Sequence, residues 1–149
     1  CPGQIVISGE TEQVKQAADK LKEAGAKRAV LLNVSGPFHS SLLTGAGEKL
    51  KPVLEGLTIS EPQIPYVANV TAQYVTDISE TKNLLARQIS SSVLWQQSVE
   101  KMIQEGVDTF VEIGPGKTLS GFMRKIDRNV KVYNIQTVED AEKVCQELK

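Results

Sequence analysis

The chain is poor in the residues that most often announce a chemistry. It has one histidine in 149 residues, two cysteines, and few aromatics: three Phe, three Tyr and one Trp. Cys1 and Cys145 stand at opposite ends, so they form neither a disulfide framework nor a zinc-ligand spacing, and a reducing compartment fits them best. The aromatics show no stacking pattern, Lys and Arg are dispersed, and the formal net charge is −1, so nothing favours a nucleic-acid partner. No apolar run approaches the ~18 residues of a membrane span, and no signal peptide is visible. The expected location is therefore the cytoplasm, with no membrane contact. The Gly-x-Ser-x-Gly turn that presents a nucleophilic serine is missing, as is any Cys-His signature. The first residue is Cys1 rather than Met, and Pro2-Gly3-Gln4 leads straight into Ile5-Val6-Ile7, which reads as a start inside a domain.

What is present suffices for a packed core: 40% of residues are hydrophobic and 23% charged, in a length typical of one domain or part of a larger one. Residues 4–8 read as a short strand. From Thr11 to Ala24, Val14, Ala17, Ala18 and Leu21 recur at helical spacing, with Gly25 as a C-cap. Ala29 to Val34 is an apolar strand, making residues 1–34 a β-α-β unit with its own small core. Ser41 to Gly56 reads as a helix with Leu43, Ala46, Leu50, Val53 and Leu54 on one side, weakened by Gly45, Gly47 and Pro52. Tyr66 to Val70 is a strand; Ile78 to Ile89 and Leu94 to Gln104 are helices. Thr109 to Ile113 is a strand that stops at Gly114-Pro115-Gly116. A helix over Leu119–Ile126, a strand over Val130–Ile135 and a helix over Thr137–Leu148 follow, the last with a Thr137-x-x-Asp140 capping box. Strands alternating with helices predict an α/β fold, mostly parallel, with a boundary near residues 34–36.

The one histidine, His39, lies in Gly36-Pro37-Phe38-His39-Ser40-Ser41, just beyond the Ala29–Val34 run. Loops past strand ends are where open α/β proteins keep their chemistry, and imidazole moves protons near neutral pH. Two readings stand on the residues alone: a solvated or hydrogen-bonded loop histidine, which is the commoner case, and a general base whose nucleophile lies elsewhere. Gln88 places a polar amide on the inner side of a helix beside Leu84, Leu85 and Ile89. It reads as a boundary residue or as the turn that supplies a hydrogen-bond acceptor to something buried. Asn69 reads as a turn residue and Cys145 as a core packer. Gly114-Pro115-Gly116-Lys117-Thr118 ends like a phosphate-binding loop, but the glycine that pattern needs five positions before Gly116 is Val111. The segment therefore reads as a tight strand-to-helix turn.

Taken in order, several stretches carry a resemblance. They are residues 2–9 (Pro2-Gly3-Gln4-Ile5-Val6-Ile7-Ser8-Gly9), Ser35-Gly36-Pro37-Phe38-His39-Ser40, Val67-Ala68-Asn69-Val70, Leu85-Ala86-Arg87-Gln88-Ile89, Val93-Leu94-Trp95-Gln96-Gln97-Ser98-Val99 and the run from Val111 through Gly114-Pro115-Gly116 to Leu119. The chain resembles the C-terminal half of the malonyl-CoA:acyl carrier protein transacylase family over essentially its whole length. That resemblance implies a parent roughly double this length. Residues 1–34 would then end a small ferredoxin-like subdomain, and residues 35–149 would be the returning part of a large hydrolase-like α/β acyltransferase subdomain. It implies transfer of malonyl from CoA to the phosphopantetheine thiol of acyl carrier protein, through an acyl-serine, in fatty acid biosynthesis. His39 falls on the family's general base. Gln88 falls on the position whose main-chain carbonyl orients that histidine. Phe38 falls on a substrate-binding position where bulk favours malonyl over its α-methylated analogue. The family's serine, the arginine for the malonyl carboxylate and the oxyanion-hole glutamine belong to its N-terminal half and have no counterpart here. The segment alone is thus expected to be inactive, with malonyl-CoA, acyl carrier protein and the missing N-terminal half as partners, and with no cofactor and no metal. The other readings are an acyltransferase domain of a polyketide synthase, a non-catalytic α/β binding module in which His39 is incidental, and a hydrolase using Cys1 as its nucleophile.

Overall fold

Thr11–Glu23 forms the first helix, α1, of a computed structural model that describes residues 1–148. Its end is set by the glycine expected there. Gly25 adopts φ 99°, the Gly25 N–H donates to Lys22 O and the Ala26 N–H donates to Leu21 O, the paired bonds of a Schellman motif. The described residues fall into two compact units, one of residues 6–94 and one of residues 1–5 with 95–148.

In the unit Val6–Leu94, a 3₁₀ turn at Ser41–Leu43 leads into α2 (Thr44–Glu55). Its inward face is shifted from the expected one. Gly47 and Leu54 are buried and Leu50 is half-buried, whereas Ala46 and Val53 are exposed. Val67–Ala68 (β1) and Gln73–Tyr74 (β2) pair as a short antiparallel hairpin, which was not anticipated beyond β1. Its turn places Ala72 at φ 54°, where both the Thr71 and the Ala72 N–H donate to Ala68 O. A 3₁₀ turn opened by Asp77, whose carboxylate accepts from the Ser79 N–H, precedes α3 (Thr81–Arg87). Buried Ala68, Ala72, Ala86 and Gly47 keep this core small in volume and its backbones close together.

The strands expected at residues 4–8 and at Ala29–Val34 are not formed, and residues 1–34 contain no buried side chain. Ile5, Val6, Ile7, Val30, Leu31, Leu32 and Val34 are all largely exposed. The physical reason is that an extended segment becomes a strand only when a neighbour supplies ladder hydrogen bonds, and no described residue pairs with either segment. The small β-α-β core read from the periodicity is corrected accordingly: α1 carries its apolar stripe, but no sheet that it could cover is formed among the described residues.

In the other unit, α4 (Trp95–Gln104) ends in a second Schellman motif at Gly106. Thr109–Ile113 (β3) pairs in parallel with Lys131–Ile135 (β4), in register from Thr109↔Lys131 to Ile113↔Ile135, and α5 (Thr118–Ile126) connects them. The last helix, α6 (Val138–Glu147), has the expected capping box. The Thr137 hydroxyl accepts from the Asp140 N–H, and the Asp140 carboxylate accepts from the Thr137 N–H. Val99, Met123, Val144, Ser98 and Ser120 are the buried residues of these helices. Cys145 is exposed rather than packed in the core, because the α6 stripe buries only Val144. No helix among the described residues is long and apolar enough to cross a membrane.

Candidate active site

Backbone chemistry shapes the histidine loop before any side chain acts. Pro37 fixes φ, and the Phe38 N–H donates to Gly36 O at 2.9 Å, a three-residue turn that reverses the chain. Gly36 lacks a Cβ, and the Phe38 ring lies 3.8–3.9 Å from where one would stand. His39 follows at φ 60°, a left-handed conformation that costs a non-glycine residue about 1–2 kcal/mol. Residues are held in such a conformation only where their surroundings over-determine it, and functional sites are where this is concentrated.

The surroundings that hold His39 come from the C-terminal end of α3. The His39 N–H donates to Ile89 O at 3.2 Å, and His39 Nδ1 lies 2.9 Å from Gln88 O. A helix ends with unsatisfied carbonyls, and here two consecutive ones fix one residue, the first through its ring and the second through its backbone. A carbonyl oxygen only accepts, so the contact requires the proton on Nδ1. The neutral ring then carries its lone pair on Nε2, which has no partner among the described residues. The Ser40 hydroxyl donates to Pro37 O at 2.7 Å and the Leu43 N–H to Ser40 O at 3.0 Å, closing the loop onto the start of α2. The structure thus brings together two residues that are 49 positions apart, His39 and Gln88. Phe38 is beside them and half-exposed. The Ile89 carbonyl was not anticipated. Its only signal in the sequence is its position two residues past the end of α3.

Asn69 sits in the hairpin turn with its side chain exposed, while its carbonyl accepts from the Leu94 N–H at 2.9 Å. The Gly114–Lys117 turn is filled from within. Gly114 and Gly116 have φ 140° and 91°. The Gly116 N–H donates to Gln136 Oε1 and the Asn134 side chain donates to Gly116 O. The free N–H groups at the start of α5 are taken by Glu112, whose carboxylate accepts from the Leu119 N–H, the Ser120 N–H and the Ser120 hydroxyl. The donors a phosphate would need are already engaged by an anion of the chain itself.

Those bonds hold the Glu112 carboxyl below the usual glutamate range, the Ser120 hydroxyl contributing most and the Ser120 N–H next. A carboxylate with a lowered folded-state pKa stabilises the fold above its unfolded value, and the contribution is lost as pH falls through the folded value. Glu112→Gln in the complete protein is expected to lower Tm at neutral pH, since an amide turns an N–H₂ toward backbone donors. The gap to the parent protein should close on acidification below the ordinary glutamate range. Melting curves at both pH values check this, and a gap that does not depend on pH would contradict it.

The acyl transferase domain family matches residues 1–144. The chain is 47% identical over 149 residues to a malonyl CoA-acyl carrier protein transacylase of Bacillus subtilis, covering all of this chain and 47% of that protein. It is 45% identical over 140 residues to the Staphylococcus aureus protein of the same name, covering 94% of this chain and 46% of that one. The chain therefore spans just under half the length of these relatives. Among solved structures, the malonyl CoA-acyl carrier protein transacylase of Clostridium perfringens superposes with a TM-score of 0.88 at 41% identity, covering 94% of this chain and 44% of that one. A malonyl-transacylase solved in complex with its type II polyketide synthase acyl carrier protein superposes with a TM-score of 0.90 at 35% identity, covering 93% of this chain and 45% of that one.

Proposed function

The chain belongs to the acyl transferase domain family, and from that premise we propose that it is the base-bearing part of a malonyl-CoA:acyl carrier protein transacylase. The observation that carries the reading is His39, its Nδ1 held by the Gln88 carbonyl and its Nε2 open. In the proposed reaction a serine of the family's N-terminal half attacks the malonyl thioester. Its proton passes to His39 Nε2 and on to the departing CoA thiolate. The phosphopantetheine thiol of acyl carrier protein then gives its proton to the same nitrogen, attacks the acyl-serine and returns the serine to its hydroxyl form. One base serves both half-reactions. The Gln88 carbonyl does the orienting that a carboxylate does in other triads. Residues 1–34 are proposed to close a ferredoxin-like subdomain, and residues 35–149 to belong to the large α/β subdomain. The site is proposed to need no metal and no cofactor beyond its two substrates, and to work in the cytoplasm.

Because the orienting group is main chain, Gln88→Ala in the complete protein is expected to retain kcat/KM to within a few-fold. A loss as large as that of a His39 variant would show that the side chain, not the carbonyl, is needed. The function itself is tested by intact mass. The complete protein should gain one malonyl group from malonyl-CoA, on a residue upstream of this segment, and lose it to acyl carrier protein bearing phosphopantetheine. No adduct, or an adduct on Cys1, would overturn the proposal.

A further inference from the structure

His39 and the carbonyls that hold it stand at the ends of two packed helices. His39 is tied to α2 through the short run Ser40–Leu43, while Gln88 O and Ile89 O belong to the end of α3. The two helices are fastened together at both ends. Near the start of α2, Gly47 is buried against the end of α3, and a Cβ built there would stand 2.9 Å from the Ala86 carbonyl oxygen. That neighbour is backbone, so it cannot rotate aside, and the helices would have to part. At the opposite end, Lys82 Nζ on the first turn of α3 donates to Glu55 O at 3.1 Å and to Leu57 O at 2.6 Å, closing the C-terminus of α2. The Tyr66 hydroxyl, 2.6 Å from Thr81 Oγ1, fixes the start of α3 to the hairpin.

From this geometry we infer that Gly47 is a positioning residue for His39: its missing side chain sets the α2–α3 spacing at which Nδ1 meets the Gln88 carbonyl. Lys82 supports the same spacing from the far end. The inference rests on the transacylase reading for its effect on turnover, but not for its effect on the ring. A 2.9 Å hydrogen bond weakens steeply once its partners separate by a few tenths of an ångström. When Gln88 O withdraws, nothing keeps the proton on Nδ1, and misplacing a catalytic group by about 1 Å can cost on the order of 10²-fold.

The test compares Gly47→Ala with Gly45→Ala in the complete protein. Gly45 is on the same helix with nothing within 4 Å of a Cβ, so it controls for helix propensity. The readouts are kcat/KM for malonyl transfer and the tautomer of His39 by ¹⁵N NMR, with its signal assigned by disappearance in His39→Ala. The expected result is a Nδ1–H ring in the parent and in Gly45→Ala, a shift toward Nε2–H in Gly47→Ala, and a tenfold to hundredfold loss of kcat/KM only in the latter, about the range set by misplacement. Lys82→Met, which removes only partly exposed bonds, should move the tautomer in the same direction and carries the test if Gly47→Ala does not fold. A folded Gly47→Ala, or failing that a Lys82→Met, with the parent's tautomer would overturn the inference. If the parent protein transfers no malonyl while the tautomers shift as expected, the transacylase reading falls and the positioning role stands.

Discussion

Replacing His39 with alanine in the complete protein should lower kcat/KM for malonyl transfer by about 10²–10⁴-fold, the range for a removed general acid–base. Within this segment no other histidine can take over the task. The expected loss should fall on both half-reactions, because the serine and the phosphopantetheine thiol are activated at the same nitrogen. Folding should survive, because the side chain is exposed and makes one hydrogen bond. Alanine does not remove the left-handed backbone at φ 60°, however, so part of any change could come from strain. His39→Asn separates the two effects. Asparagine tolerates that conformation and its amide can donate to Gln88 O, but it cannot take up a proton near neutral pH. Both variants should melt close to the parent temperature and both should lose transfer. Unimpaired transfer by either would remove His39 from the mechanism, and with it the reading of this segment as the base-bearing part.

Much of this was legible in the order of residues, for reasons that differ from place to place. Thr109–Ile113 was read with the observed bounds because a β-rich run is cut off by Gly114-Pro115. The α1 and α6 ends were legible because Gly25 and the Thr137–Asp140 pair are local devices that work within a few residues. The strands read at 4–8 and Ala29–Val34 failed because strand formation is not local. Their apolar character is real, but no described residue supplies them with ladder hydrogen bonds. Gly47 was misjudged in the opposite sense. In a propensity count it only weakens α2, yet its value lies in the approach of a second helix, which no window along the sequence contains. The pairing of His39 with Gln88 stands between these cases. The residue pattern left both as alternatives, and the family resemblance supplied the link that a separation of 49 positions hides.

The specificity of the proposed site should respond to Phe38 rather than to His39. The Gly36–Phe38 turn folds the Phe38 ring back toward Gly36, immediately before the base. An acyl group held within reach of His39 would then have an aromatic wall beside its α-carbon, and an added α-methyl would have to displace it. Such a wall discriminates weakly in energy, since one methyl against an apolar surface is worth about 1–3 kcal/mol, or roughly 10–200-fold in kcat/KM. Phe38→Ala in the complete protein is therefore expected to reduce the preference for malonyl-CoA over methylmalonyl-CoA by a factor in that range. Most of the change should come from faster use of the methylated substrate. Malonyl transfer itself should change little, because the base and its Gln88 contact depend on the main chain at 36–39 and not on the ring. The ring is half-exposed, so its loss leaves no buried cavity to destabilise the loop. Competition between the two thioesters, read by the mass of the acylated enzyme, measures the ratio directly. An unchanged ratio would place the selective surface elsewhere. A collapse of both activities would instead show that the ring is needed to hold His39 at its positive φ, making Phe38 a support for the base and not a gate for the substrate.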